Sequence, residues 1–259
     1  MPFYSLLDPP INSFKGQIIS VIGGGGKSSL LKKIGRELVK LNLKVILTTT
    51  TKIEPFPNTA VVLLQGRGED IREELTYMLD ELKIIMVAKK RYHGNKLVGV
   101  NPEVVQKFKK YANIVLVEAD GARQRPFKTH MPHEPVIPAA TDKVIIVIGS
   151  EIVHKPLNDE TVHRADLFAK KWNMELEAKL TRKIIAKELL STAGYIGKIP
   201  LTSNVAIFIN KTDLNLDRAK SLAEYLMKKC DYPIFLGSIK NNSIVQVNPH
   251  QTTERFDLV

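Results

Sequence analysis

Short continuous apolar runs alternate along this chain with stretches in which apolar residues return every three or four positions. The runs are Ile18 to Ile22, Lys44 to Leu47, Ala60 to Leu64, Ile114 to Val117, Val144 to Ile148, Val205 to Ile209 and Ile234 to Leu236. Runs of this length without polar alternation predict strands buried on both faces. Leu30, Leu31, Ile34, Leu38 and Leu41 predict a helix from Lys27 to about Leu41, ended by Asn42. Further helices are expected over Glu69 to Leu82, from Asn101-Pro102 to about Tyr111, across residues 160–191, and from Leu214 to Lys229. Asn101 is placed as the N-cap and Pro102 as the first helical residue. Within 160–191 the expected buried side is Leu176, Leu180, Ile184, Ile185 and Leu189. Ile84 to Ala88 and Lys96 to Val100 flank His93-Gly94-Asn95, a turn signal, and predict a β-hairpin. Residues 1–16, with Pro9 and Pro10, read as a lead-in, residues 191–204 as loop, and the polar tail after about Asn241 as loosely held. The alternation predicts an α/β fold with a mostly parallel sheet and helices on both faces. It predicts a single domain over residues 1–259, with a hairpin insertion near 84–100 and a helical segment near 160–191.

The turn after the first run carries chemistry. Gly23, Gly24, Gly25 and Gly26 are followed by Lys27, Ser28 and Ser29, where the first helix begins. Glycines let backbone N–H groups crowd a phosphate, and a helix start adds unpaired N–H groups and a positive dipole end. In this strand–turn–helix setting Lys27 is expected to reach the outer phosphates and Ser28 to ligate Mg²⁺, so the fold is expected to be P-loop NTPase-like. The usual spacing places a glycine five residues before Gly26, where this chain has Val21, so the loop is either shortened or drawn differently.

Polar clusters follow three other strands. Ligands of open parallel sheets sit at the carboxyl ends of the strands, so Thr48–Lys52, Glu118–Gly121 and Asn210–Asp213 are expected to converge on the glycine turn. Glu118 and Asp120 are candidates to hold Mg²⁺ or orient water, and Thr50 to ligate the metal. Arg123, Arg125 and Lys128 are candidates to stabilise transferring phosphate or clamp an anionic substrate. Asn210-Lys211-Thr212-Asp213 has the form of a guanine-reading element: a carboxylate accepts from the N1–H and N2–H₂ edge that adenine lacks. Gly237-Ser238-Ile239-Lys240 resembles the loop that backs this element in GTPases, which makes Ser238 a further base-site candidate. GTP or ATP, with Mg²⁺, is the expected substrate.

Composition narrows the classes. Hydrophobic residues are 44% and charged residues 25%, an ordinary globular balance. No apolar run approaches the ~18–20 residues of a membrane span. The first residues lack the basic and apolar regions of a secretory signal. Cys230 stands alone, so no intrachain disulfide can form, and a cytoplasmic location is expected. Lys plus Arg is 38 against 27 Asp plus Glu, a net charge of +11. That excess fits nucleic acid, an anionic substrate or an acidic protein partner, and equally a Lys-rich solvated surface. The chain has no long basic run, aromatic–basic stacking pattern or zinc-finger spacing, so nucleic acid is not expected as partner. Neither HExxH nor a Cys/His spacing proposes a zinc site.

VIGGGGKSSLL, VILTTTTKI, VEADGARQRPFK, HEPVIP, KPL at 155–157, VHR at 162–164 and INKTD together resemble the YqeC family, from about residue 14 to 240. The family's loop usually reads GAGGKT, and GGGGKS here keeps the hydroxyl. The resemblance implies a P-loop NTPase that serves as an accessory protein of selenium-dependent molybdenum hydroxylases. It singles out His133, Glu134, His163 and Arg164, which fall in family motifs, as candidate substrate or acceptor residues beside Arg125 and Lys128. The expectation is a Mg²⁺-dependent NTPase in which Lys27, Glu118, Asp120 and Arg123 act on the phosphates, GTP is favoured over ATP, and a molybdenum hydroxylase or its cofactor is the partner. A homodimer is left open. The alternatives are a small-molecule kinase and a non-hydrolysing, nucleotide-switched carrier of a pterin-type cofactor.

Overall fold

The computed structural model describes residues 1–8, 14–65 and 71–247; Pro9, Pro10 and the expected helix start at Glu69 lie outside the described residues. A 3-10 turn at Phe3–Leu7 precedes β1 (Gln17–Gly23) and α1 (Lys27–Lys40). Then come β2 (Val45–Thr49), β3 (Lys52–Ile53), β4 (Val61–Leu63), α2 (Ile71–Leu82), β5 (Ile84–Ala88), β6 (Lys90–Arg91) and β7 (Leu97–Val98). Next are α3 (Pro102–Val105), β8 (Ile114–Glu118), β9 (Phe127–Lys128), β10 (Lys143–Gly149), β11 (Val162–His163), α4 (Ala165–Trp172) and α5 (Arg182–Leu190). β12 (Asn204–Asn210), α6 (Leu216–Met227), β13 (Ile234–Ser238) and β14 (Ser243–Val247) complete the order.

The apolar runs become the strands of one nine-stranded sheet, ordered β14-β13-β12-β10-β1-β8-β2-β5-β4. Every pairing in it is parallel except β13 with β14. Alternate strand residues feed two separate cores. On one face Val21, Leu47, Leu116 and Val147 pack with Leu30, Leu31, Ile34 and Leu38 of α1 and with Phe3 and Leu6. On the other, Ile22, Ile46, Val117 and Ile146 pack with residues of α2 to α6, such as Leu79, Val105, Phe168, Leu189 and Leu222. Both faces are therefore dry, which is why the strands read as unbroken apolar runs. The sheet grows from β1 in both directions, through β8 and β2 on one side and β10 and β12 on the other. β1 is thus the switch point, where a crevice opens beyond the strand ends.

Several elements depart from expectation. The lead-in contributes to the core: Phe3, Leu6 and Leu7 are buried in the cluster that α1 covers. Ile84–Ala88 is a parallel strand of the main sheet; the hairpin pairs Lys90–Arg91 with Leu97–Val98, and β3 adds to it as a third strand. The helix begun at Pro102 tightens to 3-10 over Gln106–Lys110. Residues 160–191 form two helices rather than one. Asn173, left-handed at φ 51°, ends α4, and Thr181 starts α5 by accepting from the Ile184 amide. Leu176 falls in the break and is exposed. The tail past Asn241 adds β14 to the sheet edge. No helix among the described residues is long and apolar enough to cross a membrane.

Candidate functional site

The glycine turn closes the end of β1 against its neighbours. Val21 is a fully buried strand residue, paired with Ile145 on β10 and Glu118 on β8. The loop is therefore short, and Gly23 to Gly26 connect strand to helix directly. Gly26 sits at φ 121°, a conformation that only glycine adopts without strain. At Gly24 a Cβ would lie 2.6 Å from the Arg125 carbonyl oxygen, so the basic loop and the glycine turn touch backbone to backbone. The Gly24 amide donates to the Val147 carbonyl and the Gly25 amide to the Arg125 carbonyl, each at 2.9 Å. The amides at the start of α1 lack acceptors within the helix and open toward solvent ligands.

Two acidic residues flank the turn in different states. The Ser28 hydroxyl donates to Glu118 Oε2 at 2.7 Å. Burial pushes the Glu118 carboxyl above its ordinary range, against the pull of the Lys27 ammonium and the Ser28 hydrogen bond. Burial would also raise Asp120, but there Lys27, His130 and Lys128 outweigh it and hold the carboxyl well below the carboxylate range. Asp120 Oδ2 accepts from the Gly23 amide at 2.9 Å and lies 2.6 Å from His130 Nε2. A carboxylate only accepts, so Nε2 carries the proton. Lys27 Nζ lies 3.0 Å from Asp120 Oδ1, an ion pair without hydrogen-bond geometry, and donates to the Gly23 carbonyl at 2.5 Å. Asp120 thus orders the turn and its lysine, while Glu118 faces the cleft beyond.

That cleft has a volume of about 660 Å³, within the usual range for small-molecule sites. Gly25, Gly26, Lys27, Ser28, Ser29, Glu118, Arg123, Arg125 and Lys211 are among its lining residues. Each expected strand-end cluster sends residues to this cleft, Lys52 from the first, Glu118 and Gly121 from the second and Lys211 from the third, whereas Thr48 to Thr51 do not line it. Arg123 and Gln124 are both left-handed, at φ 47° and 63°. Asn210 bridges the turn to the loop after β13: its Nδ2 donates to the Gly25 carbonyl at 2.7 Å and its Oδ1 accepts from the Ile239 amide at 3.2 Å. Lys211 pairs with Glu151. Ser238 is buried, with its hydroxyl accepting from the Asn241 amide. Asp213 is exposed and, among the described residues, forms no hydrogen bond or ion pair.

Other candidates lie elsewhere. Thr50 Oγ1 donates to the Val136 carbonyl at 2.7 Å and Thr49 Oγ1 to the Glu118 carbonyl at 2.8 Å, so the threonine run fastens backbone, and Thr50 is not among the cleft-lining residues. The acceptor candidates Lys128, His133, Glu134, His163 and Arg164 do not line the cleft either. Lys128 is wholly buried, donating to the Gly121 carbonyl and pairing with Glu134, which Arg164 also grips. His133 is exposed. His163 pairs through its backbone with Lys128, and burial together with Lys128, Arg164 and Arg123 lowers its imidazole to about 4. Sequence reasoning missed His130, Tyr195 and Glu188. The Tyr195 hydroxyl donates to the Lys128 carbonyl, and buried Glu188 accepts from Thr129 and Trp172. None of the three belongs to a recognisable local motif. Lys32, Phe56 and Lys96 also line the cleft and were missed, whereas Lys52 is the last residue of the expected Thr48–Lys52 cluster.

The family model described as YqeC protein matches residues 19–166. The chain belongs to the YqeC family. A curated relative, the uncharacterized protein YqeC of Escherichia coli (strain K12), is 28% identical over 233 residues, covering 88% of this chain and 90% of the relative. Among solved structures, FtsY from Mycoplasma mycoides is a distant likeness, with a TM-score of 0.42 and 12% identity over 96% of this chain and 72% of that one. The YqeC match spans the glycine turn, Glu118, Asp120, the basic loop, Glu134 and Arg164. It stops before Asn210 and Asp213.

Proposed function

We propose that this YqeC-family chain binds a nucleoside triphosphate with Mg²⁺ at the β1–α1 turn and hydrolyses it, favouring GTP over ATP. In this reading it is an accessory factor in maturation of a selenium-dependent molybdenum hydroxylase. The observation that carries the proposal is the Gly26-Lys27-Ser28 turn, with Ser28 bonded to a buried carboxylate and open to a cleft of about 660 Å³. The accessory role rests on the family resemblance.

The donor set suits Mg²⁺: a serine hydroxyl and a carboxylate, both hard oxygen donors, already lie 2.7 Å apart beside the helix start. Ser28 and Glu118 would hold the ion, which would supply neutralisation of phosphate charge. The open amides at the start of α1 bind phosphate oxygens, and Lys27 keeps two N–H donors free after its hydrogen bond to the Gly23 carbonyl. Glu118, beside the ion, would orient the attacking water. Arg123 and Arg125 line the cleft from the loop that touches the glycine turn, where charge on the transferring phosphoryl would develop.

Asn210 holds the base-side loops together rather than reading the base, which leaves Asp213 as the base-reading group. Measuring phosphate release from GTP and ATP tests both claims. Lys27→Ala should abolish release, and Asp213→Asn should weaken GTP more than ATP. Equal effects on the two nucleotides would remove the guanine claim, and a native chain inactive with and without a hydroxylase partner would remove the hydrolytic one.

A further inference from the structure

The cleft is more cationic than one nucleotide needs. Seven basic side chains line it, Lys27, Lys32, Lys52, Lys96, Arg123, Arg125 and Lys211, against Glu54 and Glu118. Lys27 is paired with Asp120 and Lys211 with Glu151. Among the described residues the other five form no ion pair. A magnesium-bound triphosphate carries only a small net charge, and the glycine turn, Lys27 and the two arginines already answer it. Lys32, on α1, Lys52, on β3, and Lys96, in the β6–β7 hairpin, remain on the wall those elements give the cleft. We propose that this wall is a second anion site that seats a phosphorylated small molecule beside the nucleotide.

The wall is built to hold its charges in place without neutralising them. Lys52 Nζ lies 3.8 Å from the centroid of the Tyr92 ring, and Lys32 Nζ lies 5.5 Å from that of Phe56. A ring face orients an ammonium electrostatically and accepts none of its N–H donors as a carboxylate would. Phe56 is itself anchored in the core under α1. The small sheet of β3, β7 and β6 carries Lys52 and is tied to the end of β2. The Gly99 amide donates to the Thr51 carbonyl at 2.6 Å and the Val100 amide to the Thr49 carbonyl at 2.8 Å. Thr49 and Thr50 bond in turn to the Glu118 carbonyl. The threonine run thus fixes the cationic wall to the strand that bears the Ser28-bound carboxylate. Like charges facing one cleft focus its field on an anion.

The proposal rests on the glycine turn being the nucleotide's phosphate seat, and the test separates the two. Pyrophosphate is titrated calorimetrically into protein saturated with Mg²⁺ and a non-hydrolysable GTP analogue. One pyrophosphate should bind per chain, and Lys52→Ala/Lys96→Ala should weaken it about tenfold or more while leaving analogue affinity within about threefold. Absence of pyrophosphate binding to the saturated protein overturns the proposal. So does a double variant that loses analogue affinity in equal measure, because the lysines would then belong to the nucleotide site. Should the protein bind no analogue, the nucleotide reading fails by itself. Pyrophosphate titrated into Lys27→Ala, with and without the two wall substitutions, then decides the second site: dependence on Lys52 and Lys96 supports it, and independence overturns it.

Discussion

The loop that leaves β8 has two sides, and they treat charge in opposite ways. Toward the cleft stand Glu118, Arg123 and Arg125, with no ion pair for either arginine among the described residues. Toward the interior stand Asp120, Lys128, His130 and Glu134, each paired or hydrogen-bonded, with Arg164 closing the network. A buried charge without a partner costs several kcal/mol, so the inner side must be satisfied by the protein itself. Solvent-facing cations carry no such penalty and can wait for a ligand. Scaffold and seat are thereby separated: inner residues shape the turn, and outer ones are free to meet phosphate.

The largest effect expected from this division is on stability at the inner side. Asp120→Ala leaves Lys27, His130 and Lys128 without their shared carboxylate and should cost about 3–5 kcal/mol in urea unfolding. A loss below about 1 kcal/mol would mean that the network does not hold the loop and that Asp120 is free for chemistry. At the outer side the pattern should invert. Arg123→Ala and Arg125→Ala should each move stability by no more than about 0.5 kcal/mol and weaken triphosphate binding about tenfold. Large destabilisation by either arginine variant would erase the distinction.

The smallest effect is a slope with pH. The folded imidazole of His163 is lowered to about 4, from an ordinary value near 6.5. Between these values the unfolded chain binds the proton and the folded chain does not, so stability falls as pH drops from about 6.5 toward 4. His130, lowered by burial against the pull of Asp120, acts with the same sign. Glu134, held near 2 despite its burial by Arg164 and Lys128, stays ionised through that window. Melting temperature should therefore decline from neutral pH to about 4.5, and His163→Gln should flatten part of the decline. An unchanged slope in that variant would assign the decline to His130 or to other groups.

The sheet and the glycine turn were legible because local pattern suffices for them. Fully buried strands read as apolar runs, and Gly26-Lys27-Ser28 directly after such a run puts a cation and a hydroxyl where a helix begins, the arrangement a phosphate requires. Glu118 and Asp120 were found by their place at a strand end, although their unlike states depend on the burial of Glu118 and on Lys27, His130 and Lys128 around Asp120, which only the fold brings together. Other features were written in contacts between distant segments. Lys52 joins the hairpin that carries Lys96 through the β3–β7 pairing, which has no local signal. Glu188 reads as an ordinary helical surface residue until Trp172, Thr129 and Lys171 are seen to surround it. The break at residues 173–181 contains no proline or glycine, and its marks were the less conspicuous Asn173 and the N-cap Thr181.

Titration calorimetry of Mg²⁺–GTP and Mg²⁺–ATP into the native chain and into folded Lys27→Ala tests the central claim most directly. One nucleotide should bind per native chain, GTP the tighter, and binding should weaken about a hundredfold when the Lys27 ammonium is removed. A native chain that takes up neither nucleotide, or a Lys27→Ala protein that binds as tightly as the native one, would contradict a phosphate seat at the glycine turn.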